Sequence, residues 1–172
     1  MKTINIECKN IYNDWNLEIS KISKQAEDLY NYLTSIPEIS KNCFLKNYKY
    51  SEVFFDILFC DGEKTHQINK EYRSKDYPAD IITFAVFADS SEEERFVLDG
   101  VINLGEIIIA LDKIEESAKE KGITRDAELA FFIAHGIMHL LGFDHQTELE
   151  YNFVVERQIK ALESINIKYD KI

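Results

Sequence analysis

Eleven residues, His135-Gly136-Ile137-Met138-His139-Leu140-Leu141-Gly142-Phe143-Asp144-His145, constrain this chain more than any other stretch, and they hold three of its four histidines. On a helix His135 and His139 lie one turn apart, about 6 Å along the axis, on a single face. Gly142 then supplies a left-handed stop, so the chain turns back and brings His145 to the same point. Three imidazoles so placed leave one position of a tetrahedral ion open, the pattern of a catalytic rather than a structural zinc site. A lone histidine on such a face is ordinarily a core residue. Three at offsets 0, +4 and +10, with glycine at +7, read as a metal site.

The offsets match the extended zincin pattern H-E-x-x-H-x-x-G-x-x-H, but Gly136 stands where those peptidases carry their glutamate base. Such peptidases also have a methionine turn downstream, and the only methionines here are Met1 and Met138. Glycine inside a helix costs about 1 kcal/mol relative to alanine. Its expected compensation is room, either at the open face of the metal or for an element packed alongside.

With 172 residues, 45% of them apolar, the chain is expected to form one domain over residues 1–172 with a substantial core. Its 20 basic and 31 acidic residues give a formal charge of −11, which argues against indiscriminate nucleic-acid binding but not against a local basic patch. Cys8, Cys43 and Cys60 are odd in number and widely spaced, as free or buried thiols of a reducing compartment would be. The polar N-terminal stretch does not read as a signal peptide, and no apolar run approaches membrane-spanning length. A cytoplasmic location with no membrane association is expected.

Periodicity predicts a strand over 3–8, then a helix capped by Asp14 and running through Leu33, its stripe being Ile19, Ile22, Ala26, Leu29 and Leu33. Pro37 should break the pattern. A strand is expected over 53–60 and a helix over 61–72, with Thr65, Ile68 and Tyr72 inward and Lys64, Lys70, Arg73 and Lys75 on its exposed side. Residues 77–80 read as a turn, because Pro78 pushes Tyr77 toward extended geometry. A buried strand over 81–87, a solvated acidic hairpin or insertion over 89–95 and a last strand over 104–111 follow. A helix should then stop at Gly122. Thr124 or Asp126 should cap the central histidine helix, apolar almost all round. Thr147-x-x-Glu150 should box a C-terminal helix with Val155, Ile159 and Leu162 inward. The sum is an α+β (layered α/β) fold: a small, mostly mixed sheet of about four strands, about five helices, and a central buried metal-binding helix.

A second constellation is Asn69-x-x-Tyr72-Arg73, followed by Asp76-x-Pro78-Ala79-Asp80-Ile81-Ile82-Thr83-Phe84. Alone it reads as a capped helix end and a turn. Taken with Leu104-Gly105-Glu106-Ile107 and the histidine motif, it resembles the YbeY family of bacterial metal-dependent endoribonucleases, in layout over about residues 50–160. This chain has Ala79 for threonine, Thr83 for serine, Glu106 for aspartate and Phe143 for tyrosine. The resemblance implies a single-strand-specific RNA endonuclease of ribosomal RNA maturation and ribosome quality control. It implies a Zn2+ ion on His135, His139 and His145, with ribosomal RNA and the small ribosomal subunit as partners and no DNA. Arg73 matches the family's functionally important arginine, and a planar guanidinium suits the charge that develops on a phosphate. Asp144 is a candidate general base, or else orients an imidazole. Glu106 and Asp80 are candidates to support the ligands from behind. If the RNA 2′-OH is the nucleophile, a strong protein base matters less. His66 reads as a surface residue and Phe84 as core. Two rival readings are a zincin-like peptidase and a non-catalytic ribosome-assembly factor with a structural metal.

Overall fold

In this computed structural model, which describes residues 2–170, four strands form one sheet: β1 (Thr3–Asn10), β2 (Glu52–Cys60), β3 (Ile81–Phe84) and β4 (Val101–Ala110). The α-helices among the described residues are α1 (Ile19–Ser35), α2 (Pro37–Asn42), α3 (Gly62–Arg73), α4 (Val86–Asp89), α5 (Leu111–Lys121), α6 (Arg125–Leu140) and α7 (Glu148–Ser164), with one 3-10 turn at Phe44–Asn47. Strand order is β1-β2-β4-β3, with the first three parallel and β3 antiparallel to β4. This is the mixed α+β sheet expected, with the short α2 and α4 in addition to the five longer helices.

Alternation along β2 sorts the two faces of the sheet. Val53, Phe55, Ile57 and Phe59 are buried in the main core, while Phe54, Asp56 and Leu58 point to the opposite side and are less covered. The core face carries α1 and α6, and α7 packs on both of those helices. Helix α6 is apolar nearly all round because it is surrounded. Leu129, Ile133, Ile137, Met138 and Leu140 are each essentially inaccessible, and each contributes about 1.5–3 kcal/mol of burial. The histidine helix is therefore fixed by the core. On the other face Ile68 of α3 packs with Cys60, Ile82 and Ile108.

In β4, Asn103 pairs with Phe54 but Gly105 pairs with Phe55, so Leu104 is an inserted bulge residue. Gly105 has φ +127°, its N–H bonds the side chain of Asn103, and a Cβ there would lie 1.9 Å from the carbonyl oxygen of Phe84. β3 passes directly over this glycine and then leaves the ladder. That is why the strand expected over 81–87 ends at Phe84 and turns into α4 at Val86.

Two other expectations are corrected, and a third holds with an addition. Asp14 does not cap α1, which begins at Ile19 after Glu18. The preceding loop is fixed instead by burial of Trp15 and Leu17 and by Asn10, whose side chain bonds Tyr12 N and Trp15 O at 2.9 Å each. Tyr72 is 67% exposed rather than inward, since α3 turns only Thr65, Ile68 and Asn69 of that side into the protein. The acidic segment is solvated at Glu92, Glu93 and Glu94, as expected, and is anchored at its end. Arg95 donates to the carbonyls of Phe87 and Ala88 at 2.7 Å each and lies over the rings of Phe44 and Phe87.

Candidate metal centre

The end of α6 builds the site. Gly142 adopts φ +89°, its N–H bonds His139 O at 2.9 Å, and Phe143 N–H bonds Met138 O at 3.0 Å, which closes the helix with a left-handed stop. The turn returns His145 to the other two histidines. Ring centroids are 4.5 Å apart for His135 and His139, 5.3 Å for His135 and His145, and 5.4 Å for His139 and His145. One ligating nitrogen from each lies within 4.8 Å of the others.

The chemistry of the three rings fits a cation. Nε2 of His139 is buried and has no hydrogen-bond partner among the described residues, which costs roughly 1–3 kcal/mol unless something accepts its lone pair or proton. Burial, then the neighbouring charge of His139, pushes His135 down to about 4. His139 is also lowered, first by burial and further by His145 and Arg73, with Asp144 and Asp89 pulling the other way. At neutral pH His135 and His139 are therefore neutral, each with one ring nitrogen carrying a lone pair that can bind a cation.

The surroundings hold these rings in place. Helix α7 starts with the expected capping box, in which Thr147 and Glu150 satisfy each other's backbone N–H groups. That fixes the phase of α7 so that Tyr151 meets His145 edge-on at 5.6 Å and Gln158 reaches Nδ1 of His135 at 3.2 Å. Asp144 accepts a 2.7 Å hydrogen bond from the backbone N–H of His145 and projects its charge onto His135 and His139. At Gly136 a Cβ would lie 2.7 Å from Cδ1 of Ile107, so the glycine makes room for β4. A glutamate has no space there.

Arg73 is the last residue of α3, and its charge is felt at His139. The loop after it is fixed by side chains rather than by glycine. Ser74 takes φ +54°, Asn69 donates to Tyr77 O at 2.8 Å, and the Thr65 hydroxyl bonds both Ala79 N and Ala79 O. His66, expected to be only a surface residue, adds to this by bonding Asp76 at 2.8 Å; that bond and then Lys70 hold the Asp76 carboxyl low. Phe84, expected in the core, packs on the smaller cluster with Ile68, Ile82 and Ile108 and edge-on to exposed Tyr72.

Glu106 and Asp80 do not stand behind the histidines. Ile107 faces α6, so its neighbour Glu106 faces the other way, into a groove with Lys64, Tyr72, Phe84 and Val86. Its carboxyl is raised by burial and by Asp56 directly across the ladder. Partial desolvation raises the Asp80 carboxyl, with Lys113 of α5 pulling it down and Glu116 pushing it up. Gln158, Tyr151 and Asp89 were not singled out in the sequence. The signal for Gln158 was a lone amide inside the apolar stripe of α7.

Fold and site together define an α+β protein with a helix-borne three-histidine centre fit for one metal ion, and without the peptidase glutamate. Residues 8–166 match the family profile described as Endoribonuclease YbeY. A protein named endoribonuclease YbeY from Geobacillus sp. (strain WCH70) is 37% identical over 152 residues, covering 85% of this chain and 90% of that protein. One of the same name from Malacoplasma penetrans is 33% identical over 130 residues, covering 76% and 82%. The chain belongs to the endoribonuclease YbeY family and is a hydrolase of RNA. The solution structure of TM1509 from Thermotoga maritima shares the fold, with a TM-score of 0.54, 24% identity and coverage of 94% of this chain and 89% of that one. No helix among the described residues is long and apolar enough to cross a membrane.

Proposed function

We propose that this endoribonuclease cuts single-stranded RNA in ribosomal RNA maturation and ribosome quality control. In this reading it works in the cytoplasm as one domain over residues 1–172, with the small ribosomal subunit as its setting. The observation that carries the reading is the convergence of one ring nitrogen from each of His135, His139 and His145 within 4.8 Å, with Nε2 of His139 buried and unpartnered among the described residues. Three imidazoles are a donor set suited to zinc, so Zn2+ is the proposed ion. When bound, the ion supplies Lewis-acid chemistry, polarising a phosphoryl oxygen or lowering the pKa of a water.

The protein's own groups divide the remaining work. Arg73, at the rim by His139, holds the non-bridging oxygens of the scissile phosphate in a bidentate grip and stabilises the charge that builds on them. Asp144 is assigned to positioning, because its carboxylate already accepts from the His145 backbone. Glu106, in the groove beside Tyr72 and Phe84, and Asp80, on the α5 side, are assigned to the sheet and loop that set the position of Arg73.

The test is cleavage of end-labelled unstructured RNA, an RNA duplex and casein by zinc-loaded protein, with and without a chelator. Internal cuts are expected in the single strand alone, abolished by the chelator and by His139→Ala. Arg73→Ala should lower the rate by about 10²–10³-fold, with Arg73→Lys recovering only part of it. Cleavage that survives in His139→Ala would overturn the assignment, as would proteolysis without RNA cleavage.

A further inference from the structure

Gln158 is one of four buried polar or charged residues among those described, and it lies on an otherwise apolar face of α7 with Val154, Val155, Ala161 and Leu162. Both ends of its amide are used. Nε2 donates to the backbone oxygen of Phe131 at 3.2 Å, and Oε1 meets Nδ1 of His135 at 3.2 Å. A backbone carbonyl only accepts, so the NH2 must face Phe131 and the oxygen must face the imidazole. An amide oxygen also only accepts, so Nδ1 of His135 must carry the proton. The lone pair is then on Nε2. A single carbonyl on α6 thus settles, through one side chain of α7, which nitrogen of His135 is free to bind.

We propose that Gln158 is a positioning residue of the metal centre, which holds His135 in the Nδ1–H tautomer and fixes its ring plane so that Nε2 is presented with the nitrogens of His139 and His145. This rests on the reading of the three histidines as a metal site. Free imidazole side chains favour the opposite tautomer, with the proton on Nε2, so removing the acceptor leaves His135 to present the wrong nitrogen. An outer hydrogen bond of this kind typically changes metal affinity by about 10- to 100-fold when lost. It also explains why an amide is tolerated in the core: both polar ends are satisfied, so its burial carries no orphan penalty.

The experiment compares wild type with Gln158→Met, close in volume but with no acceptor, and Gln158→Glu, which keeps one. In 15N-histidine-labelled, metal-free protein at neutral pH, the His135 resonances should report an Nδ1–H tautomer in wild type and Gln158→Glu and a shift toward Nε2–H in Gln158→Met. Competition with a chelating indicator should show Zn2+ held about 10- to 100-fold more weakly by Gln158→Met, with Gln158→Glu losing less than that. Unchanged tautomer and unchanged Zn2+ affinity in Gln158→Met would overturn the proposal and leave Gln158 as packing. So would an Nε2–H tautomer in wild type, which needs no variant to fold. Wild type that binds no Zn2+ while showing the expected tautomer would sink the metal reading instead.

Discussion

At the scale of single residues, the three histidines were legible because a metal-binding set has a fixed spacing on a helix. Gly136 was legible as a vacancy whose neighbour was unknown. The structure supplies Ile107, with Cδ1 and Cγ2 at 2.7 and 2.8 Å from a Cβ at position 136. Gly136→Ala gains about 1 kcal/mol of helix propensity but overpacks a β-branched, fully buried partner at about 1–3 kcal/mol. Net destabilisation is expected in wild type and net stabilisation in an Ile107→Ala background, read by urea unfolding in a double-mutant cycle. The same sign in both backgrounds would refute the contact. Glu106 was misplaced for a reason the sequence hides: the bulge at Leu104 inserts one residue, and with side-chain period 2 that moves the acid to the other face. A further prediction follows from His135, held near 4 by burial and by His139. An unfolded histidine takes its proton near 6.5, so between about 6.5 and 4 the unfolded state binds more protons. Stability of metal-free protein is complete above that window and falls as pH falls through it, by on the order of 3 kcal/mol from this group. Unfolding at pH 7 and pH 4.5 checks it, and His135→Asn should remove most of the difference.

At the scale of elements, those with strong periodicity or explicit caps were placed well. β2, α3, α5, α6 and α7 all fall within one to three residues of expectation because Asp61, Gly122, Thr124 and the Thr147–Glu150 box mark their ends. The misread elements are those whose ends are set by distant chain. Ile81 to Phe87 is apolar enough for a longer strand, and nothing local announces that β4 will bulge beneath it. Asp14 has the chemistry of a cap, but burial of Trp15 and Leu17 delays the helix to Ile19. The β3–β4 crossing makes a strong prediction. Gly105→Ala forces a side chain into the Phe84 carbonyl and strains a backbone at φ +127°, so a loss above about 4 kcal/mol is expected. Thermal unfolding of that variant within a few degrees of wild type would show that the crossing relaxes and that β3 is not pinned there.

At the scale of the whole molecule, an enzyme for a polyanion carries a net charge of −11. Arg73 is the cation whose charge reaches the histidines; Lys64 and Lys70 share its helix α3, Lys75 lies just beyond it, and Lys70 is drawn to Asp76 at 3.6 Å. About three remain available for phosphates. Counterion release from a single strand gives a slope of about −0.7 per phosphate contact, so log affinity against log salt should fall with a slope near −2. The acidic remainder makes this shallower still at low salt, where repulsion reaches farther than the roughly 10 Å screening length of 0.1 M salt. Anisotropy titrations of a short unstructured oligonucleotide with His139→Ala, across a salt series, measure the slope. Arg73→Ala should reduce it by about 0.7, whereas a charge-neutral change remote from α3 should not alter it. A slope steeper than about −5 would require an extended basic face that these few cations do not supply. A shallow slope has a consequence for how the enzyme finds RNA: with so little long-range attraction, selection must come from shape and from whatever presents the strand. Under the proposed ribosomal role, the rate on ribosome-bound RNA should therefore exceed the rate on the same sequence free in solution.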